Sequence, residues 1–189
     1  MKLLLHTCCA PCSIQCVEFL AAEDIKPYLF WYNPNIHPFT EYRSRRDTLC
    51  IFALEKMLQL FTDDEYGLRS FIKNVTRIES ESGESEFDKS KSSIDRCLYC
   101  YRIRLERTAR LAAERSFDAF STTLLISPYQ NHDAIKEIGE QVAKNFSVDF
   151  LYRDFRPRFH EGQKQARNAG YYMQKYCGCI YSEEERYLQ

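Results

Sequence analysis

Leu3, Leu4 and Leu5 form an apolar run at the centre of positions 2–7, which end at Cys8-Cys9-Ala10-Pro11-Cys12. A short continuous apolar run bounded by turn formers reads as a fully buried strand. Residues 13–22 have helical composition, so these cysteines sit at a strand-to-helix turn. A second apolar-aromatic strand is predicted over 27–32, closed by Asn33-Pro34-Asn35 and Pro38. Residues 39–57 form the strongest long helix, 58–62 a third strand and 66–75 a helix. The stretch 79–93 is almost devoid of apolar residues, which predicts a loop or lid, because it buries too little surface to offset its ordering entropy. The pattern resumes with a helix over 96–116 that places Cys97 and Cys100 at its start. A strand over 119–125 follows, and Ser127-Pro128 breaks the chain. A helix over 133–145, a strand over 149–152 and a helix over 162–173 lead to Tyr176-Cys177-Gly178-Cys179. No internal repeat interrupts the pattern.

Strands alternating with helices of this length imply right-handed crossovers and a mostly parallel sheet, hence an α/β three-layer sandwich. Ligands in such folds collect at the C-terminal strand ends, where the winding direction reverses. The first cysteine group and Thr122-Thr123 both fall at such ends, so the first and fourth strands are expected to flank one crevice.

A chain of 189 residues with 44% apolar composition is enough for a single domain and a single core. No stretch is apolar for long enough to span a bilayer, and the opening residues reach cysteines too soon for a secretory signal, so the expected address is cytoplasmic. A formal net charge of −1 excludes binding nucleic acid through bulk positive charge and leaves local patches. Such patches exist: five arginines face one acid between Arg96 and Arg110, and six basic residues face two acids between Arg153 and Lys175. A solvated helix face is the ordinary explanation for either run.

Nine cysteines without an export signal point to metal or redox work rather than to disulfides. Seven of them cluster, as Cys8, Cys9 and Cys12, as Cys97 and Cys100, and as Cys177 and Cys179. Four thiolates suit zinc or an iron–sulfur cluster equally, but seven exceed what one closed zinc site takes. The surplus favours a cluster together with further redox or metal-binding thiols. Cys177-Gly178-Cys179 is open to two readings, a strained and easily reduced disulfide or ligands of a second metal. Cys16 and Cys50 are expected to be buried as small hydrophobes.

The blocks Leu5-His6-Thr7-Cys8-Cys9-Ala10-Pro11-Cys12-Ser13 and Arg96-Cys97-Leu98-Tyr99-Cys100-Tyr101-Arg102-Ile103-Arg104-Leu105 carry a resemblance. It continues in Thr122-Thr123-Leu124, Ser127-Pro128-Tyr129, Asp154-Phe155-Arg156 and Tyr176-Cys177-Gly178-Cys179, in order over nearly the whole chain. With these blocks the sequence resembles the QueH-type epoxyqueuosine reductases. That resemblance implies a Rossmann-like domain with a 4Fe-4S cluster, acting on the last step of queuosine synthesis at the tRNA wobble position. By the same analogy Cys8, Cys9, Cys97 and Cys100 ligate the cluster, with Cys12 able to replace one of them. Cys177 and Cys179 are implied to be redox-active or to hold a second, mononuclear iron.

Removing an epoxide oxygen needs two electrons, two protons and an electron donor, which the sequence does not name. The candidate proton donors are Tyr129, His132, Asp154 and His6, with Asp154 expected to pair with an arginine. Arg102, Arg104, Arg156, Arg158, Lys164 and Arg167 are the candidate phosphate contacts to tRNA, and Tyr171, Tyr172 and Tyr176 the candidate stacking surfaces. Two rival readings are a zinc-stabilised RNA-binding module and a metal-free thiol–disulfide oxidoreductase. An ATP-using thiolation enzyme would share the strand-turn opening, but Cys-Cys-Ala-Pro-Cys stands where a glycine-rich phosphate loop would be needed.

Overall fold

A computed structural model describes residues 1–81 and 89–188, with the side chains of 89–93 left aside. Five parallel strands form one sheet in the order β3-β2-β1-β4-β5, built from β1 (Leu3–Thr7), β2 (Tyr28–Trp31), β3 (Leu60–Thr62), β4 (Ala119–Thr122) and β5 (Asp149–Phe150). The central strand β1 pairs with β2 (Leu5 opposite Leu29) and with β4 (Leu5 opposite Ser121). Leu3, Leu4 and Leu5 are all fully buried, as a strand covered on both faces requires.

The helices are α1 (Ala10–Ala22), α2 (Phe39–Glu55), α3 (Leu68–Glu81), α4 (Lys89–Glu114), α5 (His132–Phe146), α6 (Phe159–Asn168) and α7 (Ile180–Tyr187). The chain winds from β1 outward to β3, then crosses back through α4 to β4. Right-handed crossovers therefore place α1 and α2 on one face and α4 and α5 on the other. The packing agrees: α1 lies against α2 and α6, α4 lies against α5, and both α1 and α4 touch β1. The winding reverses between β1 and β4, so the C-terminal ends of these two strands open the crevice of a doubly wound sheet.

Four expectations are corrected. The strand predicted over 119–125 ends at Thr122, and Thr123–Ile126 turns into a 3-10 helix. Thr122 accepts a hydrogen bond from the Leu124 amide at 3.2 Å, and this cap turns the chain out of the sheet. The second strong helix begins at Lys89, eight residues before Cys97, so the cysteines lie within it. The predicted loop over 79–93 is helical at 79–81 and 89–93, and 82–88 lie outside the described residues. Helix α7 was not anticipated; its apolar content is low and it is held by contacts from elsewhere in the chain. No helix among the described residues is long and apolar enough to cross a membrane.

Gly139 allows α5 to approach β5. A Cβ there would meet the Phe150 ring at 2.4 Å, and that ring packs on Phe120 with centroids 5.2 Å apart. Replacing a helical glycine gains at most about 1 kcal/mol of propensity, whereas overpacking costs about 1–3 kcal/mol. Gly139→Val should therefore lower the urea midpoint by an amount equivalent to about 1–3 kcal/mol. A midpoint equal to the parent's would show that this contact does not hold α5 to the sheet.

Candidate metal centre

The last residue of β1 is followed by Cys8 and Cys9, and Cys9 is the extended residue that precedes α1 (φ −177°, ψ 163°). Cys12 lies three residues on, which returns it to the same side of the helix. The three sulfurs lie within 4.8 Å of one another, with Cys8 and Cys9 3.8 Å apart, and all three residues are buried. The Cys8 amide donates to Thr123 Oγ1 at 3.3 Å, and the same hydroxyl is 3.7 Å from the Cys8 sulfur. Hydrogen bonds from Cys12 and then Cys9 push the Cys8 thiol well below its ordinary pKa. Burial raises Cys9, and the bond it makes to Cys8 raises Cys12. Of the three thiols, Cys8 is therefore the one that gives up its proton most readily.

Cys97 and Cys100 are one turn apart on α4, and Cys177 and Cys179 come from the loop before α7. Gly178 separates the last two at φ +117°, and a Cβ there would meet Ile36 at 2.9 Å and Arg45 Nη1 at 3.2 Å. Only glycine fits both the left-handed backbone and the space. Burial pushes Cys100 and Cys179 up to about 12, and it raises Cys97, with Cys177 adding to the effect. All nine cysteines, Cys177 and Cys179 included, are free thiols in this structure.

Six thiols, those of Cys8, Cys12, Cys97, Cys100, Cys177 and Cys179, line a single cavity of about 630 Å³ together with Arg45, Arg96 and Arg104. The cysteines on α4 gain nothing from a helix N-terminus, which lies two turns away. They have cations instead: Arg104 Nη2 donates to the Cys100 sulfur at 3.1 Å, and its Nε donates to the Cys100 carbonyl at 2.9 Å. Arg45, 1% exposed, pairs with Glu41 and donates to the carbonyls of Cys177 (3.0 Å) and Tyr176 (2.9 Å). Arg96 pairs with Glu185 at 2.7 Å and lies over the Tyr181 ring, which fastens α7 beside the cavity. Sequence reasoning missed Arg45 entirely and gave Arg96 no role beyond a charged run and a matched block.

Other expected residues are placed as follows. Tyr129 lines the mouth of the cavity, largely exposed, with its ring edge-on to Phe159. Asp154 does not line it; its carboxylate grips Arg156 at 2.7 Å, and Arg156 holds that carboxyl below its usual range. His6 is fully buried between Thr122 Oγ1 (2.9 Å) and the Tyr32 carbonyl (3.1 Å). The carbonyl only accepts, so Nε2 carries the proton and Nδ1 accepts from Thr122. Burial, with Arg104 adding, lowers this imidazole to about 4, which keeps it a neutral tie between strands. His132 is buried and bonds the Ser127 carbonyl at 3.1 Å.

Among the residues expected to meet phosphate, Arg104 is corrected: it is 3% exposed and serves the Cys100 sulfur. Arg102 turns to Gln141 and Glu106, Arg156 to Asp154, and Arg158 to Gln15, while Lys164 and Arg167 are exposed on α6. The tyrosines are tied down, Tyr171 to Glu55, Tyr172 to Glu41, and Tyr176 to the His37 carbonyl at 2.6 Å. Cys16 is buried as expected, and its thiol donates to the Cys12 carbonyl at 3.2 Å. Cys50 is exposed, contrary to expectation, because α2 buries Tyr42, Arg45, Leu49, Phe52 and Ala53, and position 50 falls on the opposite side.

This donor set fits a thiophilic metal. Soft thiolates converge without disulfides, and N–H groups of Arg104 and Gln174 reach the sulfurs of Cys100 and Cys12. Thiolates held tetrahedrally about 2.3 Å from one ion stand roughly 3.8 Å apart, the separation of Cys8 and Cys9. No three of the other four clustered thiols lie within 4.8 Å of one another among the described residues.

The comparisons with known proteins agree with the site. A family model described as epoxyqueuosine reductase QueH matches residues 3–185. A curated protein of that name from Dehalococcoides mccartyi is 35% identical over 98% of this chain and 94% of its own length. Relatives of the same name from Acinetobacter baylyi (36% identical, 96% of this chain, 80% of the relative) and Thermotoga maritima (34%, 97% and 91%) cover nearly as much of this chain. A motif match confined to the cysteine blocks would not extend over whole chains in this way, and the chain belongs to the epoxyqueuosine reductase QueH family.

Proposed function

We propose that this protein removes the epoxide oxygen of epoxyqueuosine in tRNA by two-electron reduction, leaving the alkene of queuosine and releasing the oxygen as water. The observation that carries this reading is the convergence of six thiols and three arginines on one cavity at the reversal point of the sheet. Zinc in a purely structural role would need four of these thiols and no cavity.

The spacing supports a division of the thiols that differs from the one implied by resemblance. Cys8, Cys9 and Cys12 are close enough to hold a single ion, a mononuclear iron. Cys97, Cys100, Cys177 and Cys179 provide the four thiolates that a 4Fe-4S cluster takes. When bound, these groups supply single electrons from an external donor and a Lewis-acidic position for oxygen. The protein's own residues do the rest. Arg45, Arg96 and Arg104 oppose the effect of burial and lower the cost of negative charge on the thiolates that a metal would bind. Thr123 fixes the Cys8 sulfur, and Gly178 with Arg45 fixes the loop that carries Cys177 and Cys179. Tyr129, at the cavity mouth, is the candidate to deliver a proton to the departing oxygen. Asp154 is an ion-paired carboxylate outside the cavity lining at neutral pH, and its role is to hold Arg156. Lys164 and Arg167 on α6, with Arg156 and Arg158, offer cations toward a phosphate backbone.

Anaerobic purification followed by iron and sulfide quantitation, with turnover of epoxyqueuosine-containing tRNA by a chemical reductant, tests the proposal. About five irons and four sulfides per chain are expected. Cys97→Ala should lose the sulfide and the visible absorbance, Cys12→Ala should lose about one iron and keep the absorbance, and Cys50→Ala should change neither. Stoichiometric zinc in a colourless, inactive protein would overturn the reading, and loss of sulfide in Cys12→Ala would overturn the division.

Arg104→Met removes the N–H donated to the Cys100 sulfur. Hydrogen bonds to cluster sulfurs raise the reduction potential, so the variant should titrate at a more negative potential and turn over roughly 10–100-fold more slowly. An unchanged potential would show that this arginine serves packing alone.

A further inference from the structure

The turn Asn33-Pro34-Asn35 after β2 holds two asparagines that the fold uses differently. Asn33 Nδ2 donates to the Thr7 carbonyl at 2.9 Å and ties the turn to the end of β1, directly before Cys8. Asn35 is 1% exposed and lines the thiol cavity, and its Oδ1 has no hydrogen-bond partner among the described residues. Gln174 reaches the same cavity from the C-terminal side. Its Nε2 donates to the Cys12 sulfur at 3.3 Å, which decides how its amide points, and its Oε1 is likewise buried and unpartnered.

Buried amide oxygens are almost always hydrogen-bonded, since leaving one desolvated and unpaired is unfavourable. Among the cavity-lining residues, these two are the buried side-chain acceptors that lack a donor. They therefore call for a ligand that brings N–H or O–H groups beside the sulfur triad.

We infer that Asn35 and Gln174 are specificity-determining residues, accepting hydrogen bonds from the hydroxyl groups of the substrate's epoxide-bearing ring. The inference rests on the proposed function, which supplies the ring: a cyclopentane that carries two hydroxyls besides the epoxide. Each hydroxyl has one proton to give, and two residues of the cavity lining each carry an amide oxygen that lacks a donor. Because Gln174 is oriented by the Cys12 sulfur, recognition of the ring and the state of the thiol centre are linked through one side chain. A ring without hydroxyls would leave both amides unpaired, and sites built on buried hydrogen-bonding groups reject such analogues strongly.

The test uses the metal-loaded protein, epoxyqueuosine-containing tRNA and an analogue lacking the ring hydroxyls. Asn35→Leu and Gln174→Met should keep the parent's iron, sulfide and visible spectrum while KM rises roughly 10–100-fold. Asn35→Asp, which retains an acceptor oxygen of the same reach, should lie nearer the parent than Asn35→Leu. On the analogue, parent and variants should become equally poor. Unchanged KM in both apolar variants would mean that the amides are structural and would overturn the inference while leaving the function intact. Loss of iron in either variant would make the amide a metal-holding group and would overturn it as well. A fully loaded parent that fails to turn over the tRNA would overturn the proposed function, and the inference with it.

Discussion

Buried sulfur cannot carry negative charge unless a cation or a hydrogen bond compensates the lost water, and this constraint organises the molecule around its thiol cavity. Burial pushes Cys100 and Cys179 up to about 12 even with Arg104 and Arg96 beside them pulling the other way. Three arginines on two helices, Arg45 on α2 with Arg96 and Arg104 on α4, work against it. Arg104 reaches its cysteine from one helical turn away, Arg96 is braced by the C-terminal helix, and Arg45 is braced by Glu41. Each cation is itself buried or nearly so, which would be unfavourable without the thiols and carbonyls it faces. The charges on the two sides of the cavity therefore depend on one another.

The sheet makes this possible by where it reverses. Winding outward from β1 and back through α4 brings the end of β1, the middle of α4 and the C-terminal loop to one crevice. Polar ties hold that crevice open in the right shape. His6 bridges β4 to the chain after β2, Asn33 bonds the end of β1, and Arg45 grips the loop at Cys177. None of these groups needs to react; each fixes the backbone on which a reacting group stands.

Much of the fold was legible in the chain itself. The Leu3-Leu4-Leu5 run could only be a strand buried on both faces, and the alternation of strands and long helices implied parallel pairing. Local signals misled where a tertiary contact overrode them. The apolar residues after Thr122 looked like more strand, but the Thr122 side chain caps a 3-10 turn. Cys50 has apolar neighbours in sequence, yet a helix buries residues by angle rather than by adjacency, and position 50 points to solvent. Arg104 looked like a phosphate contact because its charge was visible and its burial was not.

By itself, then, the sequence determined the fold class, the turns that carry Cys8, Cys9 and Cys12 at the end of β1, and the family that its cysteine blocks resemble. These follow from periodicity, turn chemistry and spacing, all of which act over a few residues. Only the tertiary structure decided which thiols share a site, that Arg45 holds a loop 132 positions away, and that Asn35 and Gln174 line the cavity while their amide oxygens lack a donor among the described residues. A side chain's charge and hydrogen-bonding capacity are written in its own letter. Its partners are set by segments far along the chain that packing brings beside it.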